Sequence, residues 1–308
     1  MIEKPTIAVT SIGRTGTKFF SLLFRKIVPG STSLHEPDFF KVVRYRGMGK
    51  QIKEVFRQLR IVGAKNLLFR KALGRWSLVQ LSDARLRGDL SFEQAVQRLL
   101  QQRREFIHSR SGSVYIESNL GYYGLIDILP KVYERHRVAY IIRDGREWVR
   151  SWMAWGEMQG KPGGIYGKSK IENLLGHRWP TALEIDDDPY HIRWNSMSAF
   201  EKLCWAWVRL NAYALKTIPK NPNARVFRFE DIFESENRYQ HLEDLVQYVT
   251  TIPGVEPIAS RSLDGWLDRR VQKSGDHFPS WSEWTSEQKE QFRGICGSLM
   301  EQLGYFSD

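Results

Sequence analysis

A chain of 308 residues with 42% hydrophobic and 13% aromatic content carries enough apolar material for a sizeable core, which excludes a disordered tail. Its formal net charge of +11 is concentrated: residues 41 to 110 hold 17 Lys or Arg against 5 Asp or Glu, leaving the remainder close to neutral. The sequence holds no apolar run of roughly 18 residues and no signal-peptide pattern at its start. Its two cysteines, Cys204 and Cys296, form neither a disulfide framework nor a metal-ligand spacing, so a cytoplasmic setting is expected.

In chain order, the first predicted element is a strand over Thr6–Ser11, followed by the loop "IGRTGT" and a helix beginning "KFFSLLF". Strand, glycine turn and helix N-terminus together present free N–H groups to an anion. A nucleoside triphosphate loop demands G-x-x-x-x-G-K-[ST], and this stretch breaks the pattern. Thr17 intervenes between Gly16 and Lys18, and Phe19 stands where a magnesium-binding hydroxyl is needed.

The basic block comes next. "GKQIKEVFRQLRIV" places Ile52, Val55, Phe56, Leu59 and Val62 on one helical stripe, and a second helix opens with the capping box Ser91–Gln94 and runs to about His108. Such a block suits an anionic partner, whether nucleic acid, a membrane surface or an acidic substrate, and the remaining reading is a solvated helical face. Further strands are expected over Ser113–Glu117, Val138–Arg143 and Arg225–Phe229. Helices follow over about Ser196 to Ile218 and from the Thr285–Gln288 capping box onward. Strands alternating with helices predict an α/β fold, a three-layer arrangement with a central, mostly parallel sheet flanked by helices. One domain over 1–308 is expected, with a basic helical insertion at about 41–112 and a loop insertion at about 156–195.

A second anion motif is "RDGREWVRS", where Arg143 ends a strand and Ser151 sits two turns into the following helix. A guanidinium there offers a forked donor to one phosphate. Trp148, Trp152 and Trp155 share one face of that helix, which reads as buried core rather than as a sugar-stacking platform.

Taken together, these motifs resemble those of the PAPS-dependent sulfotransferases, whose donor is 3′-phosphoadenosine 5′-phosphosulfate. "GRTGTK" is similar to that family's 5′-phosphosulfate loop, and "RDGREWVRS" to its R-D-P-R-x-x-x-x-S motif, with Gly145 replacing proline. "FRFEDIF" (residues 227 to 233), "QKSG" and a final helix ending in "LGY" extend the resemblance from Ile7 to Tyr305 in family order. The resemblance implies a P-loop-like fold and sulfuryl transfer from PAPS to a hydroxyl without metal. It also implies site roles. Arg14 faces the bridging oxygen and sulfuryl group, while Gly13, Thr15, Gly16 and Thr17 surround the 5′-phosphate and Lys18 either joins them or points to solvent. Arg143 and Ser151 hold the 3′-phosphate, helped by Lys273 and Gly275.

The acceptor needs a base. Glu36 in "LHEPDFF" lies at an interval from the first loop similar to that of a Glu in carbohydrate and tyrosylprotein sulfotransferases, with His35 as its rival. Glu117 and Asn119, at the end of the next strand, are expected on the acceptor side. The expected acceptor is a hydroxyl of a carbohydrate or glycolipid, with peripheral membrane contact through the basic insertion and no nucleic acid. Two other classes stand against this reading. One is a P-loop kinase or nucleotide-binding phosphotransferase with Asp144 as its metal-side carboxylate. The other is a non-catalytic binder of polyanions or membrane surfaces.

Overall fold

The computed structural model describes residues 1–38, 48–65, 77–158, 166, 179–255, 263–268 and 278–306. Its centre is a five-stranded parallel sheet of β1 (Thr6–Thr10), β2 (Ser31–His35), β3 (Val114–Ser118), β4 (His136–Ile142) and β5 (Ala224–Arg228). The order across the sheet is β2-β3-β1-β4-β5. All residues of β1 and β3 are buried, as strands covered on both faces require. β1 lies at the centre and pairs with β3 through Ile7 opposite Ile116 and with β4 through Val9 opposite Ala139.

Helices cover both faces. On one side, α1 (Thr17–Ile27) buries Phe20, Leu23 and Phe24 against Ile7, Val9, Ile116 and Ile141. Along the chain follow α2 (Met48–Lys65), α3 (Leu78–Leu86) and α4 (Phe92–His108). The short α5 (Leu129–Val132) precedes β4, and α6 (Gly145–Met158) leaves it. After these come α7 (Ala199–Thr217), the single turn α8 (Phe229–Phe233), α9 (Arg238–Thr250) and the terminal α10 (Ser286–Gln302). α9 joins α1 on the first face through Leu242, Leu245 and Val249. The other face is built by α3, α4, α6, α7 and α10, whose buried side chains include Leu81, Leu99, Trp148, Trp207 and Phe292.

The capping boxes expected at Ser91–Gln94 and Thr285–Gln288 are both closed, and Ser198–Glu201 caps α7 in the same way. The strands expected from sequence are present to within a residue or two. One strand escaped sequence reading. β2, Ser-Thr-Ser-Leu-His, has a single strongly apolar residue because it is an edge strand that only partly needs burial. Ser33, its buried centre, is satisfied by donating to the Ser21 carbonyl at 2.9 Å.

Candidate active site

Parallel strands direct the loops that follow them to one edge, where ligands of such sheets bind. Four strand ends deliver the candidate residues: β1 delivers Arg14, β2 Glu36, β3 Asn119 and β4 Arg143.

The loop after β1 folds on itself. The Ser11 hydroxyl accepts from the Gly13 amide at 2.9 Å and from the Thr15 hydroxyl at 2.6 Å. Thr15 is buried, so it serves the loop's interior with its side chain and can meet an anion only through its backbone. Gly13 and Gly16 both take positive φ, 86° and 76°, which a side chain would strain. Each also lies against an aromatic ring: a Cβ on Gly13 would meet Trp152 at 3.2 Å, and one on Gly16 would meet Phe233 at 3.0 Å. Gly16 caps α1 without a side-chain hydrogen bond, and no acidic residue occupies the first turn, so the positive end of the helix remains uncompensated. Thr17 is buried at that end, and its hydroxyl shares a 3.2 Å hydrogen bond with His35 Nε2. Lys18 is exposed on α1.

Arg14 and the β4 motif meet directly. Arg14 Nε donates to the Ser151 hydroxyl at 2.8 Å, and Arg143 Nη1 donates to the Arg14 carbonyl at 2.9 Å. Among the described residues no carboxylate lies within ion-pair distance of Arg14. Burial and the neighbouring Arg143 pull the Arg14 pKa down to about 10. Burial also lowers that of Arg143, although Glu147 opposes it. Arg143 packs 4.3 Å above the Phe229 ring, and its Nε is buried without a partner among the described residues. The Trp152 indole N–H, the Thr10 hydroxyl and the Ser118 hydroxyl are likewise buried and unpartnered there. With no carboxylate partner on Arg14 and, among the described residues, only Glu147, at 3.9 Å, within ion-pair distance of Arg143, these cations and unspent donors make a site suited to a polyanion.

The turn that presents Arg143 is clamped from three directions. The Asp144 amide donates to Glu230 at 2.8 Å, and the Tyr305 hydroxyl donates to the same carboxylate at 3.0 Å. The Arg143 carbonyl accepts from the Trp207 indole at 3.0 Å. Three segments singled out in the sequence, "RDGREWVRS", "FRFEDIF" and "LGY", therefore converge, yet the roles of Glu230 and Tyr305 were not assigned from sequence. The Asp144 carboxylate is engaged by Arg146, at 2.5 Å from Nη2, and also accepts from the Arg146 amide at 2.7 Å. It thus acts as the N-terminal cap of α6. Gly145 has a packing reason: a Cβ there would lie 3.0 Å from the Trp207 ring and 3.1 Å from Phe292.

Glu36 follows β2 and is nearly buried, with its amide donating to the Ser118 carbonyl at 3.0 Å. Its Oε1 lies 3.8 Å from His35 Nε2. Among the described residues, positive φ outside glycine occurs at Arg14 (59°), Glu36 (44°) and Asp187 (58°). Two of these three strained positions are the pair picked from sequence as the charge stabiliser and the base.

Glu117 and Asn119 lie beneath this layer. Glu117 is fully buried and accepts from both Arg103 Nη2, at 2.9 Å, and Arg103 Nε, at 3.2 Å. It also takes the Tyr115 hydroxyl at 2.6 Å, the Tyr122 hydroxyl at 3.1 Å and Asn119 Nδ2 at 2.8 Å. Asn119 Nδ2 also donates to Asp38 at 2.6 Å, which ties the cluster to the segment carrying Glu36. Asp38 in turn accepts from the Leu78 amide at 2.7 Å, supplying the cap of α3 that its own Ser77 does not make. Neither Asp38 nor Arg103 was found from sequence. The only hint was the run "HEPD", which puts a second carboxylate two residues beyond Glu36. Lys273 and Gly275 lie outside the described residues. Trp148 and Trp152 belong to the core, and Trp148 donates its indole N–H to the Gly13 carbonyl at 2.9 Å.

A sulfotransferase from Alicyclobacillus acidocaldarius superposes with a TM-score of 0.40 at 13% sequence identity, over 98% of this chain and 97% of that one. No protein-family model matches the chain, and no curated protein matches it.

Proposed function

We propose that this chain is a sulfotransferase that moves the sulfuryl group of PAPS to a hydroxyl acceptor, a sugar or glycolipid hydroxyl being the class favoured. One observation carries the reading. The loop after β1, which lacks the magnesium-binding residue of a triphosphate loop, brings Arg14 against the Arg143–Ser151 motif with no carboxylate balancing Arg14. The order of the four motifs along the sequence supports the same assignment.

In this reading the α1 N-terminus and the backbone of Thr15 to Thr17 hold the 5′-phosphate, and Arg143 holds the 3′-phosphate. Ser151, bonded to Arg14, couples the two. The acceptor oxygen attacks sulfur as the bond from sulfur to the phosphate oxygen breaks. Arg14 stabilises the charge gathering on that departing oxygen, and Glu36 takes the acceptor's proton. Such a displacement depends on positioning and charge far more than on covalent chemistry by the protein. His35 Nε2 is engaged with Thr17 at the phosphate end, which favours Glu36 as the base. Glu117 and Asn119, with their polar atoms engaged inside the protein, support the Glu36 segment from below. Asp144, occupied by Arg146, has little to offer a metal-bound triphosphate.

The test is calorimetric binding of adenosine 3′,5′-bisphosphate, the desulfated donor. Arg14→Ala and Arg143→Ala should each weaken binding by about tenfold or more, the equivalent of the ~1.5–3 kcal/mol of a charge-assisted hydrogen bond. Absence of binding by the unaltered protein, or stronger binding of ATP with magnesium, would overturn the proposal.

A further inference from the structure

α2 presents more apolar surface than the body of the protein covers. Gln51, Val55 and Leu59, spaced i, i+4 and i+8, are half-buried, and Leu59 packs against the core of the α4 and α6 face. The adjacent row of the same helix is Met48, Ile52, Phe56 and Arg60. Met48 is 76% exposed, Ile52 48% and Phe56 67%, three of the eight exposed large apolar side chains among the described residues. Arg60 continues the row into solvent, and Lys53 stands exposed beside Ile52. Over its length the helix carries Lys50, Lys53, Arg57, Arg60 and Lys65 against the single acid Glu54. The regular rod ends at Gly63, whose φ of 77° and ψ of 157° are not helical, leaving about four turns.

Apolar and cationic groups side by side on one exposed helix constrain the occupant. A nucleic acid or soluble polyanion would use the lysines and arginines and leave Met48, Ile52 and Phe56 in water. A second copy of this chain across a two-fold axis would set the same basic helix against itself. A bilayer surface bearing anionic headgroups takes both kinds of group at once: side chains such as Phe and Ile enter the acyl boundary while the cations stay at headgroup level.

We infer that α2 docks this protein on an anionic membrane surface, lying in the interface with the Met48–Ile52–Phe56 row inserted. The inference rests on α2 alone and stands apart from the reading of the anion site.

The experiment is co-sedimentation of the full chain with vesicles of phosphatidylcholine alone and of phosphatidylcholine mixed with phosphatidylglycerol, at low and high salt. Binding is expected to the mixed vesicles, to fall with salt, and to be negligible with phosphatidylcholine alone. Ile52→Glu and Phe56→Glu, both at exposed positions, should each reduce the vesicle partition coefficient about tenfold or more. A Lys53→Ala, Arg60→Ala double variant should weaken binding to mixed vesicles while leaving the melting temperature unchanged. Three outcomes would overturn the inference: no binding to mixed vesicles, binding indifferent to the Glu substitutions, or a concentration-dependent dimer by sedimentation that those substitutions abolish.

Discussion

At the scale of single residues, the site is defined by groups held where they are least comfortable. Arg14 combines positive φ, burial and a like-charged neighbour, and its pKa is drawn down to about 10. A base whose folded pKa lies below its unfolded value penalises the folded state while it is charged. Arg14→Ala is therefore expected to leave the melting temperature of the unliganded protein unchanged or higher, while removing most of the stabilisation that adenosine 3′,5′-bisphosphate confers. Thermal shift with and without that ligand reads both effects, and a fall in the unliganded value would count against the site as built for an absent anion. Glu36 makes the complementary case. Its backbone strain at φ 44° persists only because the surrounding structure over-determines it. Glu36→Gln keeps the shape and removes the proposed base, so turnover should fall about 10²–10⁴-fold with bisphosphate affinity retained. Equal loss of affinity and turnover would instead make Glu36 a structural residue.

At the scale of elements, the junction of β4 and α6 explains a departure from the motif it resembles. Where the related motif has proline, this chain has Gly145, with the Trp207 ring and Phe292 packed against it. Gly145→Ala must push a Cβ into that space, and overpacking of this kind costs about 1–3 kcal/mol, measurable by urea denaturation. The same junction carries a pH-dependent term. Burial raises the pKa of Glu230, and its hydrogen bonds from Asp144 and Tyr305 only partly oppose the shift. A carboxyl whose folded pKa is raised contributes stability that is full below its unfolded pKa, about 4.3, and is lost as pH rises through the folded value. The stability of the unaltered protein relative to Glu230→Gln should therefore decline across that window, and a flat difference between the two would show that Glu230 does not titrate as a buried group. Much of this element layer was legible beforehand. The loop after β1, the Arg143–Ser151 interval and the capping boxes are local patterns whose physics lies within about ten residues of chain. β2 was not legible, because an edge strand needs little hydrophobicity and its Ser-Thr-Ser-Leu-His is as polar as a loop.

At the scale of the whole molecule, what could not be read was what only long-range packing creates. Nothing near Arg103 in the sequence announces that this residue of a basic block ends fully buried, bonded to Glu117 and 3.5 Å from Asp38. Although burial opposes its charge, Glu117 and Asp38 hold its pKa well above the ordinary value, so it stays a cation. Through this one guanidinium, α4 is joined to the end of β3 and to the segment beyond β2 that carries Glu36. Removing a single partner would leave buried carboxylates uncompensated, and Arg103→Met is expected to cost about 3–5 kcal/mol in urea denaturation. The double variant Arg103→Met, Glu117→Met removes cation and anion together. Asp38 would keep the Leu78 amide and Asn119 as donors, so the double variant should be less destabilised than the sum of the two single changes. Strict additivity would mean that the pair is not coupled and that Asp38, rather than Glu117, balances the charge of Arg103. A double variant that regained stability but not turnover would locate the value of the network in where it holds Glu36 rather than in the stability it adds.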